Sequence, residues 1–82
     1  MKYLKTTEFF ETSDLALASV LYYFGYQIET INKQNLNKSI FIFSRDAKID
    51  QIIESFWKHE LSVEPAQFFA LTKEIKSRLY NG

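Results

Sequence analysis

Apolar positions along this chain fall into blocks of different period. From Leu15 to Tyr26 nearly every residue is apolar, and Ser19 is the one plainly polar side chain among them. Leu17, Val20, Leu21 and Phe24 recur at helical spacing on one face, and Leu15, Ala18 and Tyr22 make a second face. A first helix is therefore predicted over about residues 13–24. Thr12-Ser13-Asp14 supplies a hydroxyl cap and an acid in the first turn, and Gly25 ends the helix as a left-handed cap. A helix apolar on all sides is buried on more than one of them. In so small a chain that makes it either the centre of the fold or a partner surface.

The period then changes. Residues 26–31 and 39–44 read as two strands around a polar loop, 32–38. Ile40-Phe41-Ile42-Phe43 is a continuous apolar run, so both faces of that strand should be covered or nearly so. A lone two-stranded hairpin is marginal in water. It needs the helices on one face, and a third strand or a second subunit at its edge. The loop has no glycine, which argues against a tight two-residue turn. Residues 1–11 are mixed, and Thr6, Thr7, Phe9 and Phe10 suit either a short strand or an extended lead-in.

Two further helices follow. Asp46 is placed to cap one over residues 47–59, where Ile49, Ile52, Ile53, Phe56 and Trp57 form an amphipathic face. The other carries its own start signal at residues 63–80. Glu64 falls at the N-cap, Pro65 at the first helical position and Gln67 three residues after the cap; Val63 and Phe68 are spaced as a hydrophobic staple. Phe68, Leu71, Thr72, Ile75 and Leu79 form its core stripe. Lys76 and Arg78 suit its negative pole, and Asn81-Gly82 can close it. The expected fold is a single α+β domain spanning residues 1–82: helix, two-stranded antiparallel hairpin, helix, helix (α-β-β-α-α).

At 82 residues the chain supports one core, and fourteen aromatics with 46% hydrophobic residues can fill it. There is no cysteine, hence no disulfide framework or thiolate chemistry, which suits a reducing, cytoplasmic setting. Ten basic and ten acidic side chains balance to zero, so a nucleic-acid partner would need a locally basic face. No apolar segment approaches the ~20 residues that span a bilayer, and no secretory leader is apparent.

Candidate chemistry is sparse. His59 beside Glu60 offers two metal ligands where a site needs three or four, and a solvated helix end accounts for it. Asp46, Asp50 and Glu54 lie on one flank of the second predicted helix, where a cap and a wetted face account for them. Ser13-Asp14 has no histidine nearby in sequence, and two glycines in the whole chain exclude the glycine-rich phosphate loops. No catalytic, cofactor-binding or metal-binding residue is assigned, and the chain reads as a non-enzyme without a cofactor.

One pattern on the last helix stands out. Phe69, Lys73, Lys76 and Tyr80 form a stripe beside its core face, two aromatics enclosing two lysines. Such a stripe can anchor a protein partner, or stack bases and neutralise phosphates. Alternatively Phe69 widens the core and the lysines lay their stems over it.

Several pieces together resemble a family of small bacterial, archaeal and phage domains of unknown function. They are TSDLALA at residues 12–18, Gly25 after that helix, FIFSRD at 41–46, a tryptophan ending the second helix, and VEPAQFF…IKSRLY at 63–80. The resemblance covers the chain after about Thr7. It implies an α-β-β-α-α domain, often found alone or in mobile elements, and brings no activity with it. The expected role is a non-catalytic interaction module with a protein partner, possible accessory or regulatory duty in a mobile element or phage being what the resemblance implies. The alternative is a nucleic-acid-binding accessory protein using the last helix with Arg45 or Lys48. Surplus apolar surface on the first helix also suggests a homodimer through Leu15, Tyr22 or a strand edge.

Overall fold

The computed structural model describes residues 8–35 and 38–81. Its elements are β1 (Phe9–Thr12), α1 (Leu15–Tyr23), β2 (Ile28–Asn35), β3 (Lys38–Ser44), α2 (Ile49–Trp57) and α3 (Pro65–Asn81). The strands form one antiparallel sheet in the order β1-β3-β2. The domain is α+β as expected, but the hairpin is a three-stranded sheet and the order is β-α-β-β-α-α.

The third strand comes from the segment the local pattern left open. Phe10 lies opposite Phe43, Thr12 opposite Phe41, and the N–H of Arg45 donates to the Glu8 carbonyl at 2.7 Å. The apolar run of β3 is central, which satisfies its backbone on both edges. Residues 1–7, the rest of the expected lead-in, lie outside the described residues.

β2 corrects the predicted boundaries. It starts at Ile28 rather than Tyr26 and runs through most of the expected polar loop. A ladder is made by the backbone, so polar side chains do not prevent pairing at an edge. The register shifts between Ile28 and Thr30, leaving Glu29 as the extra residue of a bulge, and shifts again between Asn32 and Asn35. The first bulge keeps both Ile28, opposite Phe43, and Ile31, opposite Phe41, on the core side.

Within β3, Phe41 and Phe43 are buried while Ile40 and Ile42 are only half-buried. The helices cover one face, and the other is partly open.

α1 is the centre of the fold. Leu17, Ala18, Ser19, Val20 and Leu21 are all buried, five residues in succession. The core joins Leu17, Ala18 and Leu21 to Ile28, Phe41, Phe43, Ile49 and Ile75, drawing on α1, β2, β3, α2 and α3. The cap sits two residues later than expected: Asp14 accepts from the N–H groups of Ala16 and Leu17 at 2.9 and 3.2 Å. Thr12 instead accepts the Asp14 N–H at 3.0 Å and fixes the approach to the helix. At the other end Gly25 has φ 99°, and the N–H groups of Gly25 and Tyr26 return to the carbonyls of Tyr22 and Leu21.

α2 is shorter than the predicted 47–59. Asp46 does cap its entry, accepting from the N–H groups of Lys48 and Ile49 at 3.0 Å each, but Ala47 and Lys48 form a turn before the helix. Ile49 is buried and Ile52, Ile53 and Phe56 pack half-buried against the core. Trp57 departs from the expected face: it is 59% exposed and stands edge-on to Phe56.

The helix closes on His59 with φ 61°, the N–H groups of His59 and Glu60 returning to the carbonyls of Phe56 and Ser55. This is the arrangement Gly25 makes, built here on a residue with a Cβ. The left-handed region costs an L-residue roughly 1–2 kcal/mol, while a glycine loses roughly 0.4–1 kcal/mol more chain entropy. His59→Gly should therefore stabilise the domain, by up to about 1 kcal/mol. Urea denaturation checks this, and a loss of stability would show that the imidazole contributes more than its backbone costs.

Candidate functional site

α3 opens as its sequence implies. Glu64 accepts from the N–H groups of Ala66 and Gln67 at 3.2 and 2.7 Å, and its own N–H donates to the Tyr23 hydroxyl at 3.0 Å. Of the core stripe, Ile75 is fully buried and Phe68, Leu71, Thr72 and Leu79 are half-buried. The C-terminal end is tied down from the sheet: the Lys33 ammonium donates to the carbonyls of Arg78 and Leu79 at 3.3 and 2.9 Å. A cation suits that pole of a helix. The polar stretch predicted as a loop thus carries the residue that secures α3.

With Ile75 on the core side, α3 turns Phe69, Lys73, Lys76 and Tyr80 outward. Phe69 is 63% exposed, Tyr80 is 81% exposed, and both lysines are exposed. At 100° per residue the four fall within an arc of roughly 60°, and the two aromatics lie roughly 16 Å apart along the axis. Lys73 and Lys76 make no ion pair among the described residues. The one acid of α3, Glu74, points elsewhere and accepts the Tyr22 hydroxyl. Phe69 keeps a ring contact with Phe68, which in turn meets Tyr23.

The other sequence candidates are engaged locally. Leu15 and Tyr22 are half-buried against the core. Arg45 pairs with Asp50 at 2.6 Å and Lys58 with Glu54 at 2.9 Å. Lys48 is exposed at the start of α2, and Ser13 is exposed just before the cap of α1. His59 lies on the rim of an open groove of about 260 Å³, lined with it by Val20, Phe56, Leu61, Val63 and Phe68. The groove was not apparent in the sequence, because it forms where three helices meet. The one local hint is Trp57-Lys58-His59, where an apolar face ends at a histidine. Among the described residues no three His, Asp or Glu side chains gather as metal ligands.

Two tyrosines carry shifted titrations. Burial first, and then the Asp46 carboxylate that its hydroxyl meets at 2.7 Å, push Tyr26 from 10.0 up to about 12. The hydrogen bond to Glu74 and then burial raise Tyr22. Asp46 is held below its ordinary 3.8, chiefly by the Tyr26 hydroxyl; desolvation opposes this as the next largest effect, and the capped N–H groups of Ile49 and Lys48 add smaller lowering ones.

The raised Tyr26 contributes stability that is complete below pH 10 and is lost as the pH rises toward about 12, and Tyr22 acts in the same direction. The lowered Asp46 contributes stability that is lost only as the pH falls through its folded value, below 3.8. Melting temperatures from pH 9 to 12 should fall more steeply for the native chain than for Tyr26→Phe. Parallel alkaline limbs would show that the Tyr26–Asp46 contact is not coupled to folding.

Fold and surface together define a small α+β domain that offers an aromatic and basic helix face. The chain belongs to a family described as a domain of unknown function (DUF5659), whose model matches residues 7–81. No curated protein matches it, and neither does any solved structure. Among the described residues no helix is long and apolar enough to cross a membrane.

Proposed function

We propose that this domain is a non-catalytic interaction module that binds a protein partner through the outer face of α3. The observation that carries the reading is the pair Phe69 and Tyr80, two large aromatics 63% and 81% exposed on a helix whose core contacts come from other residues. Exposed aromatics are the side chains that most often anchor an interface. The carboxylates Asp46, Asp50, Glu54 and Glu64 serve caps and ion pairs, which supports a binding role over a catalytic one. The cysteine-free composition suits the cytoplasm, and an accessory or regulatory role in a mobile element or phage is the setting we assign.

The double substitution F69A/Y80A should leave stability within about 0.5 kcal/mol, as for surface changes away from special features. Affinity for a partner purified from the native host should fall at least roughly thirtyfold, the loss of an anchoring side chain worth about 2 kcal/mol. A partner held equally well by the variant overturns the assignment to α3.

A second reading has its own observation: Lys73 and Lys76, free of ion pairs among the described residues, stand between stackable rings. For a nucleic-acid accessory protein, each lysine removed should flatten the salt dependence of binding by roughly 0.7–0.9 log units per decade. Lys48 is available to extend such a surface, whereas Arg45 is already paired with Asp50. Self-association is better served by the strand edges of β1 and β2 than by the half-buried Leu15 and Tyr22.

A further inference from the structure

The order of residues along the α3 stripe restricts its partner. From one end to the other it runs aromatic, lysine, lysine, aromatic, at positions 69, 73, 76 and 80. An antiparallel two-fold pairing of two copies brings Phe69 onto Tyr80 of the second copy, but sets Lys73 against Lys76. A parallel two-fold pairing sets each lysine against itself. In both arrangements four ammonium groups meet at the centre of the contact, and nothing nearby neutralises them. Glu74 turns toward Tyr22, and no ion pair reaches Lys73 or Lys76 among the described residues. Like charges brought together suppress a wrong partner and opposite charges favour the right one.

Resting on the reading of α3 as a protein-binding face, we infer that the stripe rejects a second copy of this chain and takes a different protein. Its complement is a segment with two carboxylates at the centre, flanked by apolar groups roughly 16 Å apart, the separation of Phe69 and Tyr80 along the helix. All four stripe residues are exposed, so changing the charge of the two lysines leaves the core untouched.

The chain can supply its own complement. A variant K73E/K76E carries the carboxylates between the same two aromatics. Isotope-labelled native chain titrated with this variant should show amide shifts confined to the outer face of α3, with an affinity at least roughly tenfold above that of either protein for itself. Adding F69A/Y80A to the variant should abolish the shifts. The single substitution K73E makes the face self-complementary, and on raising the concentration that variant should shift its own outer α3 amides where the native chain does not. Equal melting temperatures establish that every variant is folded.

A charge-matched mixture no tighter than the native chain alone overturns the inference, as does native self-association through this face. Either result leaves the α3 assignment to be judged by F69A/Y80A and the native partner. A single-stranded oligonucleotide that shifts the same amides at lower concentration than the variant overturns the protein partner in favour of nucleic acid.

Discussion

Replacing Phe43 with alanine should cost about 3–5 kcal/mol, the usual penalty for deleting a buried aromatic ring. The ring is fully buried on the central strand, with Phe10 opposite it on β1 and Ile28 opposite it on β2. Neither neighbour can easily fill the space, because each is held in register by the ladder to β3. A domain of this length has a total stability of roughly 4–12 kcal/mol, so the variant should lose from about a quarter to all of it. Urea denaturation of Phe43→Ala and Ile40→Ala makes the comparison. Ile40 is half-buried on the sheet face away from the core and should cost clearly less. Equal losses at the two positions would mean that the open face is covered, by a second chain or otherwise.

That contrast also shows where the sequence was informative. Signals that act over a few residues were legible: Glu64 capping α3, Asp46 capping the entry to α2, and Gly25 closing α1. The all-apolar segment was legible as the alternative between a fold centre and a partner surface, and its five consecutive buried residues place it at the centre. What depended on distant pairing was not legible. β1 is a strand because β3, about thirty residues away, offers it an edge; FFET carries too little pattern to say so alone. β2 extends through Asn32 and Lys33 because β3 supplies the ladder and α3 supplies carbonyls for the lysine. Trp57 falls on the right face by period yet lies in the last turn of α2 and stays 59% exposed there. The α3 stripe was legible as a pattern, but only the placement of Ile75 against the core determined that Phe69 and Tyr80 face outward.

Ser19 gives the sharpest test of the central helix, because two substitutions should have opposite consequences. It is the one buried polar residue among those described, and its hydroxyl donates to the Leu15 carbonyl one turn back at 2.8 Å. That carbonyl already belongs to the helix ladder, so Ser19→Ala removes a hydroxyl and leaves no orphaned partner. The cost should stay within about 1 kcal/mol, the net worth of an ordinary hydrogen bond. Ser19→Leu keeps the helix and raises its hydrophobicity, so a view based on hydrophobicity alone expects a gain. Packing predicts the reverse. Ser19 and Ala18 are the fully buried small residues of a helix that contacts α2, α3 and β1. Extra carbon atoms there have no free volume to enter and must push a neighbouring element away. Overpacking of this kind costs typically about 1–3 kcal/mol and occasionally more. Thermal and urea unfolding of the two variants decide between these views. A stable Ser19→Leu would show that space remains beside α1, whereas a large loss on Ser19→Ala would give the hydroxyl a structural role beyond its bond to Leu15.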